Sequence, residues 1–250
     1  MTGAEDLDER EVRSLRGRRV AVVGGASGMG LGAVRAAATL GAQVIVAGRR
    51  PSVVQEVADT VAGDVVPATV DVTDEESVRD LFNGLGTLDH LFVTASPGSR
   101  GVFLEQDVAG AQEYMNGKFF GSWACARYAA PVLAPGGSIT FLSGGLAVRP
   151  EVGSAMVTAA FAAVEALSRA LAVELAPTRV NTIRPGFIDT PMWDFLDEGQ
   201  RVQMRDEMRA SLPVRRVGEV EDIGQAAVFL MTNPYVTGTV LEVNGGQLLT

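Results

Sequence analysis

Arg19-Val20-Ala21-Val22-Val23-Gly24-Gly25-Ala26-Ser27-Gly28-Met29-Gly30-Leu31 decides the fold of this chain. Val20 to Val23 form an unbroken apolar run, the pattern of a strand covered on both faces; a half-exposed strand would alternate with polar residues. The run enters a glycine-rich turn, and the Ala-rich segment behind it, about residues 28–40, reads as a helix. Glycines there let backbone approach a phosphate closely, while the helix N-terminus supplies amide donors and a favourable dipole. Strand, glycine turn and helix in this order predict a pyrophosphate cradle. Gly24, Ser27, Gly28, Met29 and Gly30 are its expected lining; a turn that binds nothing is the alternative.

Outward from this unit the same alternation repeats. Apolar runs VIVA (44–47), VVPATV (65–70), HLFVTA (90–95), SITFL (138–142), VNTI (180–183) and VLEV (240–243) predict six more strands. Between them, helices are expected at about 52–62, 74–85, 111–132, 154–176 and 221–231. Strand–helix alternation at this spacing implies right-handed crossovers, hence a single-domain α/β fold: a doubly wound parallel seven-stranded sheet with helices on both faces. Residues 1–17 read as a flexible N-terminal lead-in and 18–250 as the domain, with about 187–218 expected as a substrate-side lid whose Met192, Trp193 and Phe195 belong either to an apolar lid or to the core.

Composition narrows the function classes. The 250 residues are 47% hydrophobic, enough for one sizeable core. A net charge of −9 disfavours nucleic acid and anionic membrane as partners. Cys125 is the single cysteine and His90 the single histidine, which leaves no disulfide framework and no Cys/His metal cluster. Cys125 is expected as a small buried group and His90 as a satisfied strand residue. No apolar run is expected to approach the ~20 residues that span a bilayer. The lead-in is charged where a signal peptide is apolar, so a cytoplasmic setting is expected.

The spacing Gly24-x3-Gly28-x-Gly30 resembles the short-chain dehydrogenase/reductase family. So do Asp71-Val72, Leu88-Asp89, Arg184-Pro185-Gly186-Phe187-Ile188-Asp189-Thr190 and Asn244-Gly245-Gly246. The resemblance covers nearly the whole chain. It implies a Rossmann-type fold, a nicotinamide cofactor, a small carbonyl or alcohol substrate, and a homo-oligomer, dimer or tetramer, paired through the helices at 111–132 and 154–176. Asp71 and Val72 are implied at the adenine, Thr190 at the carboxamide, and Ala95, Pro185, Gly186 and Ile188 along the cofactor. Gly48 stands where NAD-selective relatives carry Asp, and Arg49 and Arg50 offer charge-assisted donors to a 2′-phosphate. NADP(H) is therefore the expected cofactor; two merely solvated arginines are the alternative.

At the positions the family uses for catalysis, the resemblance implies substitutions. Gly144 falls at the Ser position with Ser143 one residue early, Val157 at the Tyr, Phe161 at the Lys, and Lys118 at the Asn of the preceding helix. Valine and phenylalanine neither donate a proton nor carry charge. Tyr114 and Lys118, four residues apart, share a helix face and are candidate catalytic residues, with Lys118 expected to point at the site floor. Ser143 is a third candidate, which faces away from the pocket unless the Gly144-Gly145 pair distorts the strand end. Lys118 is then a proton donor or electrostatic clamp, or else a structural lysine on buried carbonyls. Two function classes stay open: an oxidoreductase with a rebuilt proton relay, and a redox-neutral catalyst (isomerase, cyclase or lyase) or binding protein on the same fold.

Overall fold

A computed structural model describes residues 14–97 and 101–250. Seven strands, β1 (Arg19–Val23), β2 (Gln43–Gly48), β3 (Asp64–Thr69), β4 (Leu88–Val93), β5 (Leu133–Leu142), β6 (Arg179–Pro185) and β7 (Val240–Val243), form one sheet. Every pairing is parallel, in the order β3-β2-β1-β4-β5-β6-β7. All seven expected strands are present, and the sheet is doubly wound.

Alternation along each strand feeds two cores. Val20, Val22, Val44 and Val46 pack under α1 (Gly28–Thr39), α2 (Pro51–Thr60) and α8 (Val220–Thr232). Ala21, Val23, Ile45 and Ala47 point the other way, under α3 (Glu75–Leu85), α5 (Gly121–Ala129) and α6 (Ala155–Glu174). Both faces of the inner strands β1, β2, β4 and β6 are therefore largely dry, which is why they read as mainly apolar runs, while the edge strands β3 and β7 are partly exposed.

The expected helix at 111–132 differs in detail. It starts earlier, as α4 (Val108–Met115) with Asp107 accepting from Gly110 N, and widens into a π turn at Asn116–Phe120. It resumes as α5 and ends in a 3-10 turn at Ala130–Val132 that contains Pro131. The 187–218 segment holds a 3-10 turn (Pro191–Trp193) and α7 (Glu198–Ser211), whose start Asp197 and Gln200 cap reciprocally.

Two sequence expectations need correction. The ordered chain reaches back beyond residue 18: Leu15 is only 1% exposed and its N–H donates to Leu40 O, because it covers the end of α1. Residues 1–13 of the expected lead-in lie outside the described residues. Secondly, α6 has 20 residues and is long and apolar enough to cross a bilayer by length and composition. Its inner face instead packs on β5 and β6 and carries Glu165, ion-paired with Arg184 at 2.7 Å.

Candidate active site

Strand order reverses between β1 and β4, and a cleft of about 490 Å³ opens at their C-terminal ends. In open α/β sheets such a switch point is where ligands bind. Gly24, Ser27, Gly28, Met29 and Gly30 line it as expected. Gly24 takes φ +86°, and a Cβ there would sit 2.5 Å from Thr94 Oγ1, so the turn demands glycine. Thr94 donates to Val23 O (3.2 Å) and Gly24 O (3.0 Å), clamping the turn to the end of β4. Sequence reasoning missed this clamp. Ser27 caps α1 without a side-chain bond, so the first-turn amides of a 12-residue helix remain available at the cleft. A Cβ added to Gly28 would meet nothing closer than Thr190 at 3.6 Å, which leaves room above the helix end. This open cradle of backbone donors fits a pyrophosphate.

At one end of the cleft lie Gly48, Arg49, Arg50, Asp71 and Val72. Asp71 accepts from Thr73 N (2.9 Å) and Thr73 Oγ1 (2.7 Å). Those two bonds, with the Arg49 charge a smaller cause, hold its carboxyl below the usual carboxylate range. Ala95 and Thr190 line the other end. Pro185, Gly186 and Ile188, expected beside them, do not line the cleft. Gly186 N donates to Val243 O at 3.0 Å, and buried Ile188 bridges to Gly218, so this stretch secures the end of β6.

Lys118 forms the floor. It is 1% exposed, lies in the π turn, lines the cleft, and donates from Nζ to Ala95 O at 3.3 Å. The π turn can approach the sheet because Gly121 lies against Val72, where a Cβ would stand 3.0 Å from the valine side chain. Widened turns of this kind recur at functional sites. Among the described residues no carboxylate lies within ion-pair distance of Lys118. Its Nζ sits 5.5 Å from the Phe161 ring centroid, a weak cation–π contact. Burial alone pulls its pKa down to about 7.

The neighbours divide sharply. Phe161 lines the cleft and fills the space over Gly144, where a Cβ would meet the ring at 2.5 Å. Val157 does not share that wall: it is buried with Met156, Ala160 and Tyr114. Tyr114, expected at the site beside Lys118, does not line the cleft: it is buried against Met156, Val157 and Ala160 of α6, and its hydroxyl lies 3.5 Å from Ser96 Oγ. Ser143 lines the cleft, yet its hydroxyl donates to Glu165 Oε1 at 2.8 Å. Glu165 also takes two bonds from Arg184, Nε at 2.9 Å and Nη2 at 2.7 Å. With its proton directed at a buried, doubly bonded carboxylate, Ser143 is not available as a donor to a ligand. His90 and Cys125 behave as expected. His90 Nδ1 lies 2.9 Å from Ser138 Oγ, and burial lowers its pKa to about 4. Cys125 is fully buried and its thiol is pushed up to about 12.

The fold agrees with comparison to known proteins. Residues 24–247 match a family model for enoyl-(acyl carrier protein) reductase. A short-chain dehydrogenase/reductase of Stachybotrys chlorohalonatus is 30% identical, over 94% of this chain and 99% of that one. Among solved structures, a small-chain dehydrogenase in complex with NADPH is 34% identical, with a TM-score of 0.79 over 93% of this chain and 99% of that one. The MalC reductase/Diels-Alderase of Malbranchea aurantiaca is 28% identical, with a TM-score of 0.89 over 96% of this chain and 100% of that one. The chain belongs to the short-chain dehydrogenase/reductase family.

Proposed function

We propose that this chain is an NADP(H)-dependent oxidoreductase acting on a small carbonyl or alcohol through a non-standard active site, in which Lys118 is the proton donor. The observation that carries this reading is a buried lysine on the cleft floor with one long bond to a carbonyl and no anionic partner among the described residues. A buried cation left so poorly compensated is costly unless a ligand completes its shell. NADP(H), when bound, supplies or accepts the hydride. Lys118 as ammonium gives a proton to the carbonyl oxygen during reduction and is left neutral; as neutral amine it takes the proton back during oxidation. A pKa near 7 suits both directions. Phe161 excludes water beside the ammonium. Arg49 and Arg50 meet the 2′-phosphate, Asp71 accepts from the adenine, and the α1 amides hold the pyrophosphate. One solved relative holds NADPH, which supports the same choice here. A homo-oligomer belongs to the same reading by family resemblance, and a cytoplasmic setting by composition.

A redox-neutral catalyst or a binding protein is the second reading. Two observations favour it: Ser143 directs its proton away, and Phe161 occupies the space over Gly144. The relative whose name pairs reductase with Diels-Alderase suggests that such chemistry is open to this fold. Fluorescence titration with NADPH and NADH, followed by NADPH oxidation across a carbonyl panel, separates the readings. Tighter NADPH binding and turnover with at least one carbonyl are expected. Binding without oxidation of NADPH by any carbonyl points to the second reading, and no binding of either dinucleotide contradicts the cofactor assignment.

A further inference from the structure

Of the 21 basic residues in this chain, 20 are arginine and one, Lys118, is lysine. The ion pairs of the fold use guanidinium groups: Arg18 on Asp89, Arg184 on Glu165 and Glu242, Arg201 on Asp189 and Asp194, Arg216 on Asp222. A guanidinium keeps its charge in a protein, whereas an amine can lose its proton and become a nucleophile. The single side chain able to act as a neutral amine is thus the one buried on the floor of the cleft.

Its surroundings do not hold it protonated. The other charged residues that line the cleft, Arg49, Arg50 and Asp71, lie at the end away from Ala95, where Asp71 is taken up by Thr73 and Arg49. Nζ donates one bond, to Ala95 O at 3.3 Å. A neutral amine keeps that bond through one N–H and has its lone pair free for a ligand. Burial favours this form, with the pKa lowered to about 7. A lysine desolvated among apolar groups is the activated kind that condenses with carbonyl compounds. The Phe161 ring, 5.5 Å from Nζ, and the Val72 side chain packed on Gly121 give the floor apolar neighbours. Water hydrolyses imines, so such a dry setting preserves one.

We propose that Lys118 is also a covalent binding residue for small aldehydes and ketones: Nζ attacks the carbonyl carbon, and water leaves to give an imine. The N–C bond forms as the carbonyl π bond opens to a carbinolamine. Its C–O bond then breaks, and the oxygen departs with the two amine protons as water. The step needs no cofactor, oxidant or reductant. It goes beyond the proton-donor reading, because the amine bonds to carbon instead of passing a proton to oxygen. Small carbonyl compounds are on this account reversible covalent blockers of the same lysine.

Acetone and propanal are the probes, with sodium cyanoborohydride present to reduce any imine to a stable secondary amine. The purified protein is treated without nicotinamide cofactor at about pH 7.5, where ordinary lysines are protonated. Peptide mass spectrometry reads Lys118 and, as internal reference, the α-amine of the chain. In the native protein Lys118 should be labelled faster than the α-amine. It should also be labelled at least ~tenfold faster than in urea, where unfolding restores its ordinary pKa and the order of the two amines reverses. Labelling confined to the α-amine in native protein, or Lys118 labelling that speeds up on unfolding, overturns the proposal. An adduct at Lys118 with no NADPH oxidised across the carbonyl panel supports it while the oxidoreductase reading fails; NADPH oxidation without any adduct at Lys118 does the reverse.

Discussion

Burial sets the behaviour of Lys118. Its pKa falls from 10.5 to about 7 because the ammonium loses water. Between those values the folded amine is neutral while the unfolded one is charged, so the unfolded chain binds more protons and stability rises with pH across that window. Lys118→Met removes the titrating group. Its melting temperature should exceed the parent's at about pH 6 and converge with it towards about pH 10; a gap that is flat or widens with pH contradicts the burial account. Arg49, on the cofactor side, is testable by selectivity. Arg49→Asp should lower the preference for NADPH over NADH by roughly tenfold or more in fluorescence titration, since a charge-assisted contact is lost and a repulsion gained; an unchanged ratio would mean the arginine is merely solvated. The place of both residues at the cleft was legible in the sequence, Arg49 from its position after β2 and Lys118 from its falling at the family's Asn position on the helix. The commitment of Ser143 to Glu165 was not. It depends on β5, α6 and β6 meeting side by side, with partners 22 and 19 residues apart that no local pattern connects.

Strands and helices were the most legible level, because helices cover both sheet faces and the inner strands read as mainly apolar runs. Boundaries were less so. β5 starts at Leu133, five residues before the apolar run SITFL, within a proline- and glycine-containing stretch that carries a register shift opposite Leu88 and His90. The π turn at Asn116–Phe120 has no sequence signal beyond Gly117 and Gly121, yet it brings Lys118 to the cleft floor. Packing between β5 and α6 yields a prediction. Gly144 is extended, at φ −175°, so serine there is acceptable to the backbone and only the Phe161 ring opposes it. Gly144→Ser should destabilise by about 1–3 kcal/mol through overpacking, and Phe161→Ala in the same chain should recover part of that loss. Additive denaturation energies in this double-mutant cycle would show that the ring does not fill the space over Gly144.

At the level of the whole molecule, one sheet with two cores leaves an aromatic patch unburied. Phe119, Phe120 and Trp123 cluster at 5.1 and 6.2 Å on the helix that carries the π turn, with Phe120 and Trp123 about half exposed. We propose this helix as a pairing surface, as the family resemblance implies, and the exposed rings suit one. Trp123→Asp should reduce the sedimenting mass without altering the circular dichroism spectrum; an unchanged mass would contradict assembly through this face. Sequence alone located the helix but not the patch, since which residues of an apolar helix escape burial depends on how α5 settles against α3 and the sheet.

Turnover of Lys118→Met measured beside its NADPH affinity tests the central claim most directly. Methionine keeps the length and apolar volume while deleting the donor, so NADPH should bind within about twofold of the parent. Carbonyl reduction should fall by at least ~10²-fold, the scale of a lost acid–base group, and the limb of the parent's pH profile near 7 should vanish with it. A variant that folds, binds NADPH and reduces the same carbonyl at the parental rate would contradict the assignment of Lys118 as the proton donor.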